Sequence, residues 1–139
     1  IEIKSVFQKG SSSKINYKKV GNGYNVSIKV NNSIDTNMII DLDSEELLVS
    51  TDFYMLLLKT GSIKEHEFIG TKNYPFPNGT YAPSSIFLIN SIELGSNSFH
   101  NIRSKVSESL KVPLVLGLKA IEHMGANINI STESNFILD

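Results

Sequence analysis

The chain has 139 residues, of which 40% are hydrophobic and 19% charged, and its formal net charge is −1. This length suits one domain with a single hydrophobic core, and the composition is typical neither of disordered chains nor of membrane proteins. The near-neutral charge predicts no nucleic-acid partner, no apolar run is long enough to predict membrane insertion within the chain, and the absence of cysteine excludes disulfides and thiol nucleophiles.

The first elements along the chain are predicted to be β-strands. A turn signal at residues 20–23 precedes a strand over residues 24–30, in which polar and apolar side chains alternate. The following strand, residues 36–40, becomes continuously apolar as it approaches Asp41. Because a half-exposed strand alternates and a covered one does not, this second strand is predicted to be buried on both faces.

A short apolar strand at residues 47–49 leads into the first predicted helix, residues 52–59. Ser50 or Thr51 suits the N-cap position, because a side-chain hydroxyl there accepts a hydrogen bond from a free amide of the first turn. Gly61 suits the C-terminal end, where the backbone commonly turns left-handed. The pattern therefore predicts one helix in the first half of the chain.

Residues 62–85 are polar and rich in turn-forming residues, which predicts a long loop or an exposed hairpin. A strand at residues 85–94, a turn at residues 95–97 and a strand at residues 99–106 form a predicted hairpin. No linker, charge run or short repeat divides the chain. We therefore expect a single domain over residues 1–139.

The last part of the chain repeats the order of strand, turn and short helix. Residues 112–116 read as a buried strand, and residues 118–124 as a helix that Gly125 ends. Residues 127–130 and 136–138 are predicted to be the final strands. The fold class that follows is mainly β with one or two short helices.

Two elements indicate more than a fold class. Residues 38–44, Met-Ile-Ile-Asp-Leu-Asp-Ser, form an apolar strand that ends on the carboxylate of Asp41, and residues 112–117, Val-Pro-Leu-Val-Leu-Gly, form one that ends on Gly117. With the strand of residues 23–31 before them and the hairpin of residues 91–102 between them, they resemble the bacterial retropepsin-like aspartic proteases over about residues 20–139.

The resemblance implies a closed β-barrel lobe with one or two short helices, and it leaves residues 1–19 as an N-terminal extension. It also implies an aspartic peptidase that hydrolyses peptide bonds in a peptide or protein substrate without a cofactor or metal. Family chemistry needs two facing carboxylates that share one proton. Since a chain this short supplies one, Asp41 would act as the catalytic residue in each subunit of a homodimer.

Two neighbours of Asp41 depart from the family's Asp-Thr-Gly or Asp-Ser-Gly loop. Leu42 stands where the family has a hydroxyl that braces the pair of carboxylates, and Asp43 stands where glycine lets backbone amides and substrate approach closely. Ser44 completes the loop. The alternative is therefore a catalytically degenerate protease-fold domain, a pseudoenzyme that acts as a peptide-binding or dimerisation module.

The resemblance assigns two further parts of a site. Leu116 and Gly117 form the second apolar-glycine element, which lies beside the catalytic loop in the family. Tyr74, Phe76 and Gly79 form a candidate flap by their order in the chain, and an ordinary surface loop is the alternative for them.

The evidence for other functional sites in the sequence is weaker. Asp41, Asp43, Glu45 and Asp52 match a calcium-loop spacing, but Glu46 stands where that loop needs glycine, so an acidic solvated turn is the default. The three histidines show no metal-ligand spacing. A third hypothesis is an unrelated β-barrel binding module in which Asp41 is an incidental turn residue. It would be wrong if the strand that ends at Asp41 ran beside the strand that ends at Gly117.

The compartment is not determined by the residues themselves. Because the chain begins with an isoleucine, we expect a processed or trimmed form. Bacterial members of the family are often exported or attached to a membrane, so the resemblance favours an exported or periplasmic protein.

Overall fold

A computed structural model describes residues 4–63, 68–75, 81–131 and 134–139 of the chain. Within those residues the chain is mainly β, with twelve strands and two helices. The elements in chain order are β1 (Val6–Gln8), β2 (Lys14–Asn16), β3 (Lys18–Val20), β4 (Gly23–Val30), β5 (Ile34–Asp41), β6 (Leu47–Ser50), α1 (Thr51–Lys59), β7 (Phe68–Pro75), β8 (Tyr81–Leu94), β9 (Asn97–Ser107), β10 (Leu114–Gly117), α2 (Leu118–His123), β11 (Ile128–Ile130) and β12 (Asn135–Leu138).

Six strands close into a barrel in the order β9-β6-β10-β5-β4-β8, and the pairing of β8 with β9 completes the ring. Three strands extend it: β1 pairs with β9, β3 with β4, and β7 with β8. A separate sheet, in the order β11-β12-β2, joins both ends of the chain. Closure leaves the six barrel strands paired on both sides, which is the usual way for a small sheet to avoid open edges.

Alternating side chains of the barrel strands form the core. On β4, Tyr24, Val26 and Ile28 are between 2% and 7% exposed, as the period-two pattern predicts. On β5, Met38 and Ile40 are fully buried, but Ile39 is only partly buried. The expectation that this strand is buried on both faces is therefore met on one face only, because Ile39 lies on the outer face of the barrel.

Both helices begin and end close to the predicted residues. The Ser50 hydroxyl accepts a hydrogen bond from the Phe53 amide at 3.1 Å, which confirms Ser50 as the N-cap of α1. Gly61 and Gly125, which follow α1 and α2, have φ angles of +73° and +94°. These left-handed torsions explain why a glycine lies two residues beyond the end of each helix, since other residues adopt that conformation at a cost.

The region that the sequence leaves as a long loop or an exposed hairpin contains β7, which pairs antiparallel with the first half of β8. The hairpin alternative is therefore the correct one for residues 68–75 and 81–87. No helix in the described part of the chain is long and apolar enough to cross a membrane.

Candidate functional site

The site is built around the strand that ends at Gly117. β10 lies between β5 and β6, parallel to the first and antiparallel to the second, and its last residue Gly117 pairs with Asp41 at the end of β5. The strand that ends at Asp41 therefore runs beside the strand that ends at Gly117. This arrangement contradicts the third hypothesis, an unrelated β-barrel.

The loop of residues 42–46 leaves β5 and crosses the end of β10 before it enters β6. The Gly117 amide donates a hydrogen bond to the Glu46 carbonyl oxygen at 2.9 Å. A Cβ atom added at position 117 would lie 2.1 Å from the Ser44 carbonyl oxygen. Glycine at 117 thus allows the loop to lie directly on the strand, and any side chain would displace the loop.

Asp41 lies at the end of β5, where the loop of residues 42–46 begins, and it is partly exposed. Its Oδ1 atom accepts a hydrogen bond from the Asp43 backbone amide at 3.0 Å. Among the described residues, the non-glycine residues with positive φ are Asn31, Asn32 and Asn101. The backbone of Asp43 therefore turns without a left-handed torsion, and the amide approaches the carboxylate although residue 43 is not glycine.

The side chains of the two neighbours face solvent. Leu42 is 36% exposed and Asp43 is exposed, whereas Ser44 is partly buried. The side chain of Leu42 has no hydrogen-bond donor to offer Asp41. Asp43 adds a second carboxylate close to Asp41, at a position where glycine would have no side chain.

Glu45 and Glu46, the last two carboxylates of the loop, are paired with lysines on one helix and one strand that are distant along the chain. Lys119 at the start of α2 lies 3.0 Å from a Glu45 oxygen, and Lys105 on β9 lies 2.5 Å from a Glu46 oxygen. In the described part of the chain, Asp41 and Asp43 form no ion pair. The two lysine partners could not be predicted, because they are far from the loop along the chain.

The strand β3 lies on the opposite side of β4 from Asp41. Gly23 pairs with Asp41 on one side and with Val20 on the other. Val20 is 44% exposed and lies two strands from Asp41, or about 10 Å at the usual spacing of strands.

The remaining predicted site residues are placed as follows. Leu116 is fully buried on β10, next to Gly117. Tyr74 lies on β7, where it pairs with Ala82. Phe76 and Gly79, the other candidate flap residues, lie outside the described residues.

The structure does not bring the calcium-spaced residues together. Asp52 lies in the first turn of α1, which β6 separates from the loop that carries Asp41 and Asp43. In the ranges that the structure describes, no group of three or more His, Asp or Glu side chains is placed to hold a metal ion. His100 instead lies 2.8 Å from the Ser98 hydroxyl, and His123 lies in the last turn of α2.

Comparisons with known proteins support the fold. Neither a scan against models of protein families nor a search of curated proteins finds a match. Among solved structures, the crystal structure of a retropepsin-like aspartic protease from Rickettsia conorii matches with a TM-score of 0.63 and 16% sequence identity, over 99% of this chain and 95% of that chain. The chain therefore has the retropepsin-like fold, a mainly β domain with a closed six-stranded barrel and two helices.

Proposed function

We propose that this chain is an aspartic peptidase domain that acts as a homodimer, with Asp41 of each subunit as the catalytic carboxylate. The observation that carries the proposal is the position of Asp41: it ends β5 beside Gly117, its carboxyl group is partly exposed, and a backbone amide of its own loop donates a hydrogen bond to it. A retropepsin-like fold is the scaffold on which such a carboxylate serves peptide hydrolysis.

The chemistry follows from the proximity of two carboxylates. Two carboxyl groups that lie so close together cannot both be ionised, so the pair shares one proton. The ionised partner removes a proton from water, and the protonated partner donates a hydrogen bond to the carbonyl oxygen of the substrate. Because each chain brings one such residue, a twofold axis beside Asp41 would complete the site.

Cleavage of a peptide library by the purified chain, followed by mass spectrometry across acidic and neutral pH, tests this proposal. Replacing Asp41 by Asn keeps the acceptor for the Asp43 amide and removes the acid. We expect it to reduce kcat/KM by about a hundredfold or more, which is the usual contribution of acid–base catalysis. Asp35→Asn is the matched control, since Asp35 is exposed at the other end of β5, about 20 Å away.

Unchanged cleavage in the Asp41→Asn variant would contradict the proposal, and so would a wild-type chain that cleaves nothing. Cleavage that falls equally in the Asp35→Asn control would contradict it as well, because the loss would then reflect a general effect of the charge.

A second candidate function has support in the loop itself. Leu42 offers no hydroxyl to brace a pair of carboxylates, and Asp43 would bring two more carboxylates to the axis of a dimer. Repulsion among four carboxylates would keep the loops of the two subunits apart. The chain would then be a degenerate copy of the fold that binds an extended peptide or only dimerises.

The double variant Leu42→Thr with Asp43→Gly distinguishes the two functions. If the wild type is an active peptidase, the variant should change its rate only moderately, since Asp41 is retained. If the wild type is inactive and the variant cleaves peptides, the chain is a protease scaffold with a degenerate loop, and the first proposal is wrong.

A further inference from the structure

We propose that a groove beside the first half of β5 binds an extended, mainly apolar peptide segment, which pairs with β5 as an additional strand. The groove lies at the end of β5 opposite Asp41, roughly 20 Å from that residue. The inference is independent of the proposed function, because it requires no peptide hydrolysis and uses no residue of the loop after β5.

The first half of β5 has a side to which no described strand is bound. Residues 38–41 pair with β10 on one side and with β4 on the other, whereas residues 34–37 pair with β4 alone among the described strands. The backbone groups of successive residues point alternately to the two sides of a strand, so two of these four residues direct both N–H and C=O to the open side. Such an edge is a template for another extended chain.

The chain that precedes β10 runs away from β5 at this point. β10 begins at Leu114, and Pro113 before it has no amide hydrogen to donate to a neighbouring strand. The Pro113 carbonyl oxygen accepts a hydrogen bond from the Ser50 amide at 3.0 Å, which attaches residue 113 to the end of β6. An open groove is left between residues 34–36 of β5 on one side and α1 and residues 110–113 on the other.

The groove has the size and the lining of a peptide-binding site. Its volume is about 600 Å³, inside the usual range of about 300–1,000 Å³ for ligand sites. Ile34 lies on the same face of β5 as Met38 and Ile40, which are fully buried, but Ile34 is only partly buried, and Leu56 of α1 is 42% exposed. Alternate side chains of a bound strand would cover both. The apolar residues that line the groove are Ile34, Phe53, Leu56, Leu110, Val112 and Pro113.

The rim of the groove favours a peptide over other classes of ligand. Asp35 and Asp52 border the groove with exposed side chains, and Lys111 is the single cationic residue among those that line it. A nucleic acid or an anionic lipid headgroup would therefore meet a net negative rim. A small apolar molecule could fill the space but would leave the backbone of β5 without a partner. An extended peptide supplies both the backbone groups and the apolar side chains, as in other cases of strand addition.

NMR titration of the ¹⁵N-labelled chain with the peptide Lys-Val-Thr-Val-Thr-Val-Lys, blocked at both ends, tests the inference. The full chain with Asp41→Asn is used so that no peptide is cleaved. We expect the largest shifts at the backbone amides of residues 34–37, with slower hydrogen exchange at those that face the groove. The same peptide with all its central amides N-methylated keeps the side chains but has no donors for pairing. It should bind at least about tenfold more weakly.

Two variants of α1 separate the groove from the rest of the surface. Leu56→Lys replaces an apolar wall by a charge and should weaken binding of the unmethylated peptide about tenfold. Met55→Lys is the matched control, since Met55 is the next residue on the same helix and is 47% exposed, but it does not line the groove. We expect its affinity to stay within about twofold of the parent chain. Circular dichroism verifies that both variants are folded.

Equal affinities of the methylated and unmethylated peptides would overturn the inference, because binding would then not involve strand pairing. Shifts that lie around Asp41 instead of residues 34–37, an equal loss in Leu56→Lys and Met55→Lys, or no binding at about 1 mM peptide would overturn it as well. These outcomes are distinct from failure of the proposed function, which is judged by cleavage with the wild-type chain.

Discussion

Among single residues, Gly117 matters because it has no side chain, which allows the loop after Asp41 to pack on β10. The loop from Asp41 lies so close to β10 that a Cβ atom at position 117 would be 2.1 Å from the Ser44 carbonyl oxygen. Gly21, in the turn between β3 and β4, differs: its φ is +57°, and nothing lies within 4 Å of its Cβ position. Position 117 requires glycine because no side chain fits there, whereas position 21 favours glycine only because of its backbone torsion.

Replacing Gly117 by Ala is therefore expected to lower the free energy of unfolding by about 2 kcal/mol or more, because backbone has to move. Gly21→Ala, the comparison variant, should cost about 1 kcal/mol, the usual penalty of a left-handed alanine. Urea denaturation measures both values. Equal losses in the two variants would show that the loop does not rest on β10 as described.

The strands that end at Asp41 and Gly117 could be predicted from the sequence, but the contacts of these residues could not. Asp41 and Gly117 stood out because each ends an apolar strand, a local pattern that survives folding. The bond from the Asp43 amide to Asp41 and the lysine partners of Glu45 and Glu46 were not predictable. They depend on the path of a loop and on residues that are far apart along the chain.

At the scale of elements, Asn97 attaches the N-terminal segment to the barrel. Its side chain is fully buried at the start of β9. It accepts a hydrogen bond from the Gly10 amide at 2.8 Å and donates to the carbonyl oxygens of Ser12 and Leu94 at 2.9 and 3.3 Å. One amide thereby satisfies three backbone groups, two of which belong to the segment between β1 and β2.

Asn97→Ala should therefore destabilise the chain by about 2–4 kcal/mol, because buried polar groups lose their partners. Hydrogen exchange should accelerate over residues 5–13 more than in the rest of the chain. Ser96→Ala is the matched control: its hydroxyl also binds Ser12, at 2.9 Å, but it is exposed, so we expect a loss below about 1 kcal/mol. Uniform exchange in the Asn97 variant would contradict this role.

Elements with a regular pattern could be predicted, and those without one could not. The alternation on β4 and the caps of α1 gave these elements nearly their correct bounds. The strands β1, β2 and β3 have three residues each, too few for a period to appear, and they form because the rest of the fold offers them partners. The insertion of β10 between β5 and β6 is likewise a property of tertiary pairing.

For the whole molecule, catalysis depends on how two chains assemble. Each chain has one Asp41, which is partly exposed, and the proposed chemistry needs two such residues that face each other. Among the described residues, the outer strands of the terminal sheet β11-β12-β2 each pair on one side only, so we expect this sheet to take part in the contact between subunits. A mass measurement in solution should then give a dimer of the 15.4 kDa chain.

A crystal structure of that assembly is the most direct test, because it gives the distance between the two Asp41 carboxyl groups. We predict a twofold dimer in which these groups lie within hydrogen-bond reach of each other, with the loops of residues 42–46 around the axis. A monomer, or a dimer whose Asp41 carboxyl groups are far apart, would contradict catalysis by a shared pair and leave a binding role for the fold.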